Sequence, residues 1–296
     1  MARKPPFSFL IGKKALLLLL LLPIIFFLFF FIYPITQNLV LAFTNKSLYH
    51  YYNYEFVGLA NFARMFSSPT FYTVLGQTLF WTICTVSLQV IFGLSFAIFF
   101  TSPSLKGGNI YRGLLLLPWA VPNVVMIMIW KGMFSPVFGV INPVLGANIP
   151  WYTSPLYAFL MIQIVNIWLA YPFLTLLLTG AVQSIPTEIF ESAEIWGCSA
   201  FQKLRHITLP LVKPILSYGL LMTAATAFTQ FPVIWLLTRG GPGGSTDVLM
   251  TWAYKEAFAN YNYGYHAAIT MFGALISIIF AIFIIKKGRV LEMAVQ

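Results

Sequence analysis

The chain has 296 residues, 59% of them hydrophobic and only 8% charged, with a mean hydropathy of +0.84 and a formal net charge of +10. That balance excludes an ordinary soluble domain. The basic excess is scattered between apolar stretches and never gathered on a soluble module, which argues against a nucleic-acid role. Two cysteines, Cys84 and Cys198, make no metal or redox spacing.

Six apolar stretches approach or exceed the roughly 20 residues needed to cross a bilayer. They lie near Ala15–Phe43, Leu75–Thr101, Gly113–Trp130, Leu156–Gly180, Leu211–Leu237 and His266–Ile285. The pattern predicts an all-α polytopic membrane protein: an N-terminal tail 1–14, a six-span domain 15–285 and a C-terminal tail 286–296. The first stretch is longer than the roughly 7–15 apolar residues of a signal peptide and has no small-residue cleavage site, so it is read as a span. Six spans put both termini on one side. With the termini inside, the cytoplasmic side holds Arg3, Lys4, Lys13, Lys14, Lys106, Arg112, Lys203, Arg205, Lys213, Lys286, Lys287 and Arg289. The outside holds Lys46, Arg64, Lys131, Arg239 and Lys255. This bias sets both termini in the cytoplasm of a cell-membrane protein.

Within the third span Pro118 and Pro122 bracket Trp119, which predicts a kinked or unwound segment there. Tyr49, Tyr51, Tyr52 and Tyr54 read as an aromatic belt at the outer interface. GGPGGST at 240–246 lacks the lysine of a phosphate-binding loop and reads as a rigid outer turn. His50 and His266 read as interfacial side chains, and no His/Cys/carboxylate cluster suggests a metal.

The polar run IPTEIFESAEIWGCSAFQKLRHITLP, 185–210, carries Glu188, Glu191 and Glu194, three of the seven acidic residues. It predicts two short helices. Ser184 is expected to cap the first, with Pro186 in its opening turn and Glu188 and Glu191 at its positive end. Gly197 supplies a left-handed stop, and Ser199 with Gln202 forms a capping box for the second helix. Lys203, Arg205 and His206 fall in that helix's last turn, and Pro210 closes it. Ile189, Ala193 and Trp196 are expected to form the apolar face. Two readings follow from the residues: an amphipathic loop lying on lipid, or a stiff bracket for a cytoplasmic partner. Three glutamates disfavour an anionic lipid surface.

This run resembles the EAA loop of ATP-binding-cassette (ABC) importer permeases, the segment that docks into a cytoplasmic ATPase. Glu191, Ser192 and Ala193 fall on the E-A-A positions, Gly197 on the family glycine, and Ile207, Leu209 and Pro210 on its closing I-x-L-P. Ser192 replaces the usual alanine, and Trp196 stands where an acidic residue often precedes the glycine. YPI (33–35), FVGLANF (56–62), LLPWAVPNVV (116–125) and LLTRGGPGGST (236–246) resemble the carbohydrate-uptake branch of these permeases, and WKGMF (130–134) and VNIWLAYPF (165–173) are similar to the larger permease subunit of maltose-type importers. The short first outer loop, about 44–74, leaves no room for the large external insertion that this subunit can carry.

The resemblance implies a type I ABC importer permease fold and a permease subunit forming half the path for a di- or oligosaccharide of maltose, maltodextrin or trehalose type. It implies a homologous second permease, two ATPase subunits that bind ATP with magnesium, and an extracytoplasmic sugar-binding protein. The chain has no Walker lysine motif, so no cofactor and no enzyme activity are expected of it. By motif, the sugar-facing candidates are Trp119, Asn166, Leu169, Ala170, Phe173, Thr223, Thr226, Ala227 and Gln230. The coupling candidates are Glu191, Ser192, Ala193, Gly197, Leu209 and Pro210. Spacing independently puts Asn166, Leu169, Ala170 and Phe173 on one helix face, and Thr223, Thr226, Ala227 and Gln230 on another. Asn166 and Gln230 are costly facing lipid. Plain helix packing, with an intramembrane Asn as interhelical glue, is the competing reading of these positions. The rival functions are an ABC permease for a non-sugar substrate and a polytopic membrane transferase. The transferase needs acid/base groups that the six spans, without Asp or Glu, do not supply.

Overall fold

The structure, a computed structural model, describes residues 13–102, 105 and 107–288. Most of both expected tails, with Arg3, Lys4 and Arg289, lies outside the described residues, as does Lys106. Among the described residues the architecture is all helical, with one isolated antiparallel bridge between Thr44 and Phe56. In chain order the helices are α1 (Lys13–Phe27), α2 (Tyr33–Ala42), α3 (Ala60–Ser67), α4 (Pro69–Thr101), α5 (Gly108–Leu115), α6 (Leu117–Ala120), α7 (Asn123–Met133) and α8 (Ile141–Leu145). They continue with α9 (Pro155–Gln183), α10 (Thr187–Ile195), α11 (Ala200–Lys203), α12 (Leu209–Phe228), α13 (Pro232–Leu237), α14 (Leu249–Phe258) and α15 (Tyr263–Gly288). Single π-helical turns, Leu28–Ile32 and Leu204–Thr208, join α1 to α2 and α11 to α12.

Among the described residues, five segments are long and apolar enough to cross a membrane: Leu18–Ala42, Pro69–Thr101, Pro155–Gln183, Ala200–Leu237 and Tyr263–Lys286. The expected third span, Gly113–Trp130, is not one of them. It is built from α5, α6 and α7, with breaks at Leu116 and at Val121–Pro122. Pro118 opens α6, and Val121, ahead of Pro122, is extended at φ −114°, ψ 140°. Proline removes a helical donor and pushes its predecessor out of the α region, so this span is fragmented where the sequence predicts unwinding. The fifth expected span also departs from a single rod. α12 ends at Phe228, and Phe231, ahead of Pro232, sits at φ −129°, ψ −54° before α13 resumes.

The chain divides into two compact units. Among the described residues the first holds 13–67 and 256–271. Here Asn61 Nδ2 donates to the carbonyls of Ala42 (2.9 Å) and Thr44 (2.8 Å), which satisfies two acceptors released where α2 ends. Asn38 Nδ2 donates to Thr270 Oγ1 at 3.0 Å, and Ala42 packs with Ala267 and Ala268. In the tyrosine loop Lys46 Nζ lies 4.9 Å and 4.7 Å from the ring centres of Tyr51 and Tyr54, while Tyr49 and Tyr52 are exposed. His50 Nδ1 meets Ser47 Oγ at 3.3 Å.

The second unit, the described residues within 68–255 and 272–288, is organised around α4, α9 and α12. Their close approach rests on small residues, as expected where lipid removes the hydrophobic drive between helices. A Cβ added at Gly219 of α12 would lie 2.5 Å from Leu174 of α9, and one at Gly93 of α4 would lie 3.0 Å from the same leucine. Trp81, Met161, Ile162, Val165, Ile127 and Ile234 fill the core beside them. The GGPGGST turn is ordered: Thr246 Oγ1 donates to Gly241 O, and Lys255 Nζ reaches both Asp247 carboxylate oxygens, at 2.8 and 2.6 Å. Burial still pushes the Asp247 carboxyl above its ordinary value, against the opposing pull of Lys255 and Thr251.

Candidate functional site

Two regions carry the residues singled out from the sequence. The first is a cavity of about 820 Å³ within the second unit. α9 presents Asn166, Leu169, Ala170 and Phe173 to it, the spacing of one helix face. α12 presents Thr223, Thr226 and Ala227, and α6 presents Trp119. With Gln230, all nine candidates line this one space. Gln230 does not continue the α12 face: the helix has ended, and Gln230 sits in the break forced by Pro232.

The breaks are tied to α9 by side chains. Gln230 Nε2 donates to Asn166 Oδ1 at 2.7 Å, and Gln230 Oε1 accepts the Phe231 N–H at 3.1 Å. Trp119 Nε1 donates to the carbonyl of Leu169 at 3.1 Å, within α9. Trp81 Nε1 donates to Ala227 O at 3.1 Å, in the last turn of α12. Trp119 and Gln230 thereby tie the two breaks to α9, and Trp81 ties the last turn of α12 to α4. Irregular backbone at such depth is tolerated where it lines a cavity.

Further lining residues were not anticipated: Gln89 of α4, Asn123 at the start of α7, and Tyr218 and Met222 of α12. Gln89 had a readable signal, since an amide amid LQVIFGL is expensive unless it faces a neighbour or a cavity. Among the described residues around the cavity none carries a charge; the lining is amides, hydroxyls, aromatic rings and aliphatic groups.

The second region is the bracket of 185–210. α10 ends as expected at Gly197, whose φ of +71° is a left-handed conformation. The Gly197 N–H bonds Glu194 O and the Cys198 N–H bonds Ala193 O, both at 2.9 Å, the paired bonds of a Schellman stop. The capping box of the second helix is present: Ser199 N–H to Gln202 Oε1 (2.7 Å) and Gln202 N–H to Ser199 Oγ (3.3 Å). A Lys203–Glu194 ion pair of 2.7 Å closes the bend between the two helices.

Three expectations for this segment are corrected. Ser184 does not cap α10; its hydroxyl donates back to Ala181 O, and Pro186 occupies the cap position without a side-chain bond. Pro210 does not close the segment. The Leu209 N–H reaches back five residues to Leu204 O, and this widened turn lets the helix run on through Pro210 into α12. Lys203, Arg205 and His206 therefore lie inside a continuing helix, with His206 Nδ1 3.2 Å from Gln202 O. The apolar face also differs. Ala193 is buried and Phe190 packs on Ala181, Val182, Ile185 and Val212, whereas Trp196 is 86% exposed and Ile189 is exposed. Ile195 and Phe201 are exposed too, so the bend presents an apolar tip flanked by exposed Glu191 and Ser192. Leu209 and Pro210 sit apart from that tip, at the start of α12.

Residues 89–286 match the family of binding-protein-dependent transport system inner membrane components, and the chain belongs to that family. It is 36% identical over 258 residues to the galactooligosaccharides transport system permease protein GanP of Bacillus subtilis (strain 168), covering 81% of this chain and 62% of that one. It is 33% identical over 288 residues to the maltodextrin transport system permease protein MalC of Streptococcus pneumoniae serotype 4, covering 88% and 66%. It thus spans less than two thirds of the length of either relative. The trehalose/maltose transport system permease protein MalF of Thermococcus litoralis is 36% identical over 241 residues, covering 79% of this chain and 80% of that protein. Among solved structures, a bacterial ABC transporter involved in the import of the acidic polysaccharide alginate aligns with a TM-score of 0.80 over 94% of this chain and 96% of the other. At 23% identity that likeness establishes the fold, that of an ABC importer's membrane subunit.

Proposed function

We propose that this chain is a transmembrane permease subunit of an ATP-driven sugar importer. It supplies half of the path for an uncharged di- or oligosaccharide of maltose, maltodextrin or trehalose type. The observation that carries the reading is the convergence of nine motif-selected positions on one uncharged cavity of about 820 Å³. Amides from Asn166 and Gln230 offer donors and acceptors to sugar hydroxyls, while Trp119 and Phe173 offer apolar ring faces. The permease relatives named for galactooligosaccharides, maltodextrin and trehalose/maltose support the substrate class. A lining that, among the described residues, holds no arginine, lysine or histidine supports a neutral sugar over a uronate such as alginate.

In this reading two cytoplasmic ATPases bind ATP with magnesium and grip the exposed tip around Glu191, Trp196 and Gly197. A homologous second permease completes the path, and an extracytoplasmic binding protein delivers the sugar. Both termini then face the cytoplasm. The bracket is coupled to the cavity by a continuous helix, α11 through α12, which runs from the capping box to the break at Gln230. The test is uptake into proteoliposomes holding the assembled transporter and its binding protein. Labelled maltotriose, trehalose and galactobiose are compared with an alginate trisaccharide. Accumulation of at least one neutral sugar, dependent on internal ATP, is expected; transport of the uronate alone refutes the reading.

A further inference from the structure

α4 turns one stripe of side chains inward, including Thr78, Trp81, Thr85, Gln89 and Gly93. The neighbours of Gln89 on that stripe each have an occupation. Trp81 bonds the end of α12, Thr85 Oγ1 donates to Gln163 Oε1 at 3.1 Å, and Gly93 lets Leu174 close in. Gln89 is only 4% exposed and lines the cavity, and its amide has no hydrogen-bond partner among the described residues. Asn166 and Gln230 engage each other across the same space; Gln89 engages nothing. A primary amide carries two donors and an acceptor with two lone pairs, and here all of them are free to meet what occupies the cavity. Its environment makes sense when a polar occupant of the cavity supplies the missing partner.

We infer that Gln89 is a specificity-determining residue of the cavity, contacting one hydroxyl of the carried sugar from α4. This inference rests on the sugar reading above and extends it to a helix outside the anticipated set. A site built to bond a hydroxyl discriminates against an analogue lacking it, because the analogue leaves the protein amide unpaired. One neutral hydrogen bond corresponds to about a three- to tenfold change in rate.

The experiment uses the assembled transporter in proteoliposomes with its binding protein, and Gln89→Met, which keeps side-chain length and removes the amide. Maltotriose, trehalose and galactobiose are the probes, followed by single-deoxy derivatives of whichever is carried fastest. Wild type and variant share the same binding protein, so its own preferences cancel in the comparison. The variant should carry the parent sugar about three- to tenfold more slowly. One deoxy derivative should be carried equally by both proteins, the non-additivity of a direct contact. A uniform loss for every derivative, or no loss, overturns the inference. If Gln89→Met does not assemble, Gln89→Asn goes through the same series, and a uniform loss there overturns it equally. A wild-type transporter that carries none of the three sugars overturns the sugar reading and this inference together. A wild type that carries one, with a response at Gln89 blind to hydroxyl position, overturns this inference alone.

Discussion

The Asn166–Gln230 bond lends itself to a double-mutant cycle that separates structure from transport. Asn166 is 3% exposed, and its Oδ1 lies 2.7 Å from Gln230 Nε2. Asn166→Leu removes the acceptor and strands the Gln230 donor, and Gln230→Leu does the converse. Leaving one buried partner unmet costs about 1–3 kcal/mol in water-soluble proteins. Interhelical hydrogen bonds in membranes measure lower, about 0.6 kcal/mol on average and about 1.7 at most. The short distance and deep burial place this pair in the upper half of that membrane range. Each single variant should therefore lower the thermal midpoint of the purified complex. The double variant, with both polar groups gone, should recover by a coupling of about 1 kcal/mol. Sugar uptake should behave oppositely, falling in both single variants and remaining low in the double, because the sugar loses both amides. Additive losses of stability would refute the bond. Recovery of uptake in the double variant would show that the pair braces the helix break and does not meet the sugar.

Gly197→Pro is incompatible with a φ of +71° and deletes the N–H bonded to Glu194 O, so ATP hydrolysis by the complex should continue without matching uptake. Transport per ATP at the wild-type ratio would contradict the coupling role. Trp196→Glu alters a side chain that is 86% exposed, so the permease should melt as before while losing ATPase subunits on affinity purification. Gly219→Val drives methyl groups into Leu174 and Leu177 and should destabilise the α9–α12 contact by about 1–3 kcal/mol, seen as a lower melting midpoint. An unchanged midpoint there would mean the helices are not in close contact.

The α9 part of the cavity was legible because spacing alone fixes a helix face once the helix is uninterrupted, and α9 absorbs Pro172 without breaking. The bracket's ends were legible because Gly197 and the Ser199–Gln202 pair act through local backbone geometry. What escaped the sequence depends on longer-range choices. Phe190 and Ile189 are adjacent, and which one turns inward depends on where Ala181 and Val212 lie. Pro210 reads as a terminator under a four-residue hydrogen-bond rule, but a five-residue turn accommodates it. Gln230 fits the α12 periodicity, yet Pro232 two residues on ends the helix first. Gln89 was passed over because a single amide barely changes the hydropathy of a 33-residue helix.

The helix breaks and the cavity are two aspects of one arrangement. An unbroken apolar helix presents only side chains to its surroundings, and its backbone is spent on itself. Here the chain interrupts α6–α7 at Pro122 and α12–α13 at Pro232, and both interruptions face the same side of α9. Trp119 and Gln230, the side chains that tie these interruptions down, bond to α9 at Leu169 and Asn166, less than one turn apart. α9 is therefore the common anchor. The segment running from Ala200 to Phe228, about 40 Å at roughly 1.5 Å per residue, joins the exposed tip to one of those tethers. Along the way α12 presents Tyr218, Met222, Thr223, Thr226 and Ala227 to the cavity, so one helix connects the tip to a lining wall and to the Gln230 tether. A flexible Gly-Gly insertion within the Leu204–Thr208 turn should abolish uptake while ATPase subunits still bind. Uptake surviving that insertion would mean motion enters the cavity by another helix.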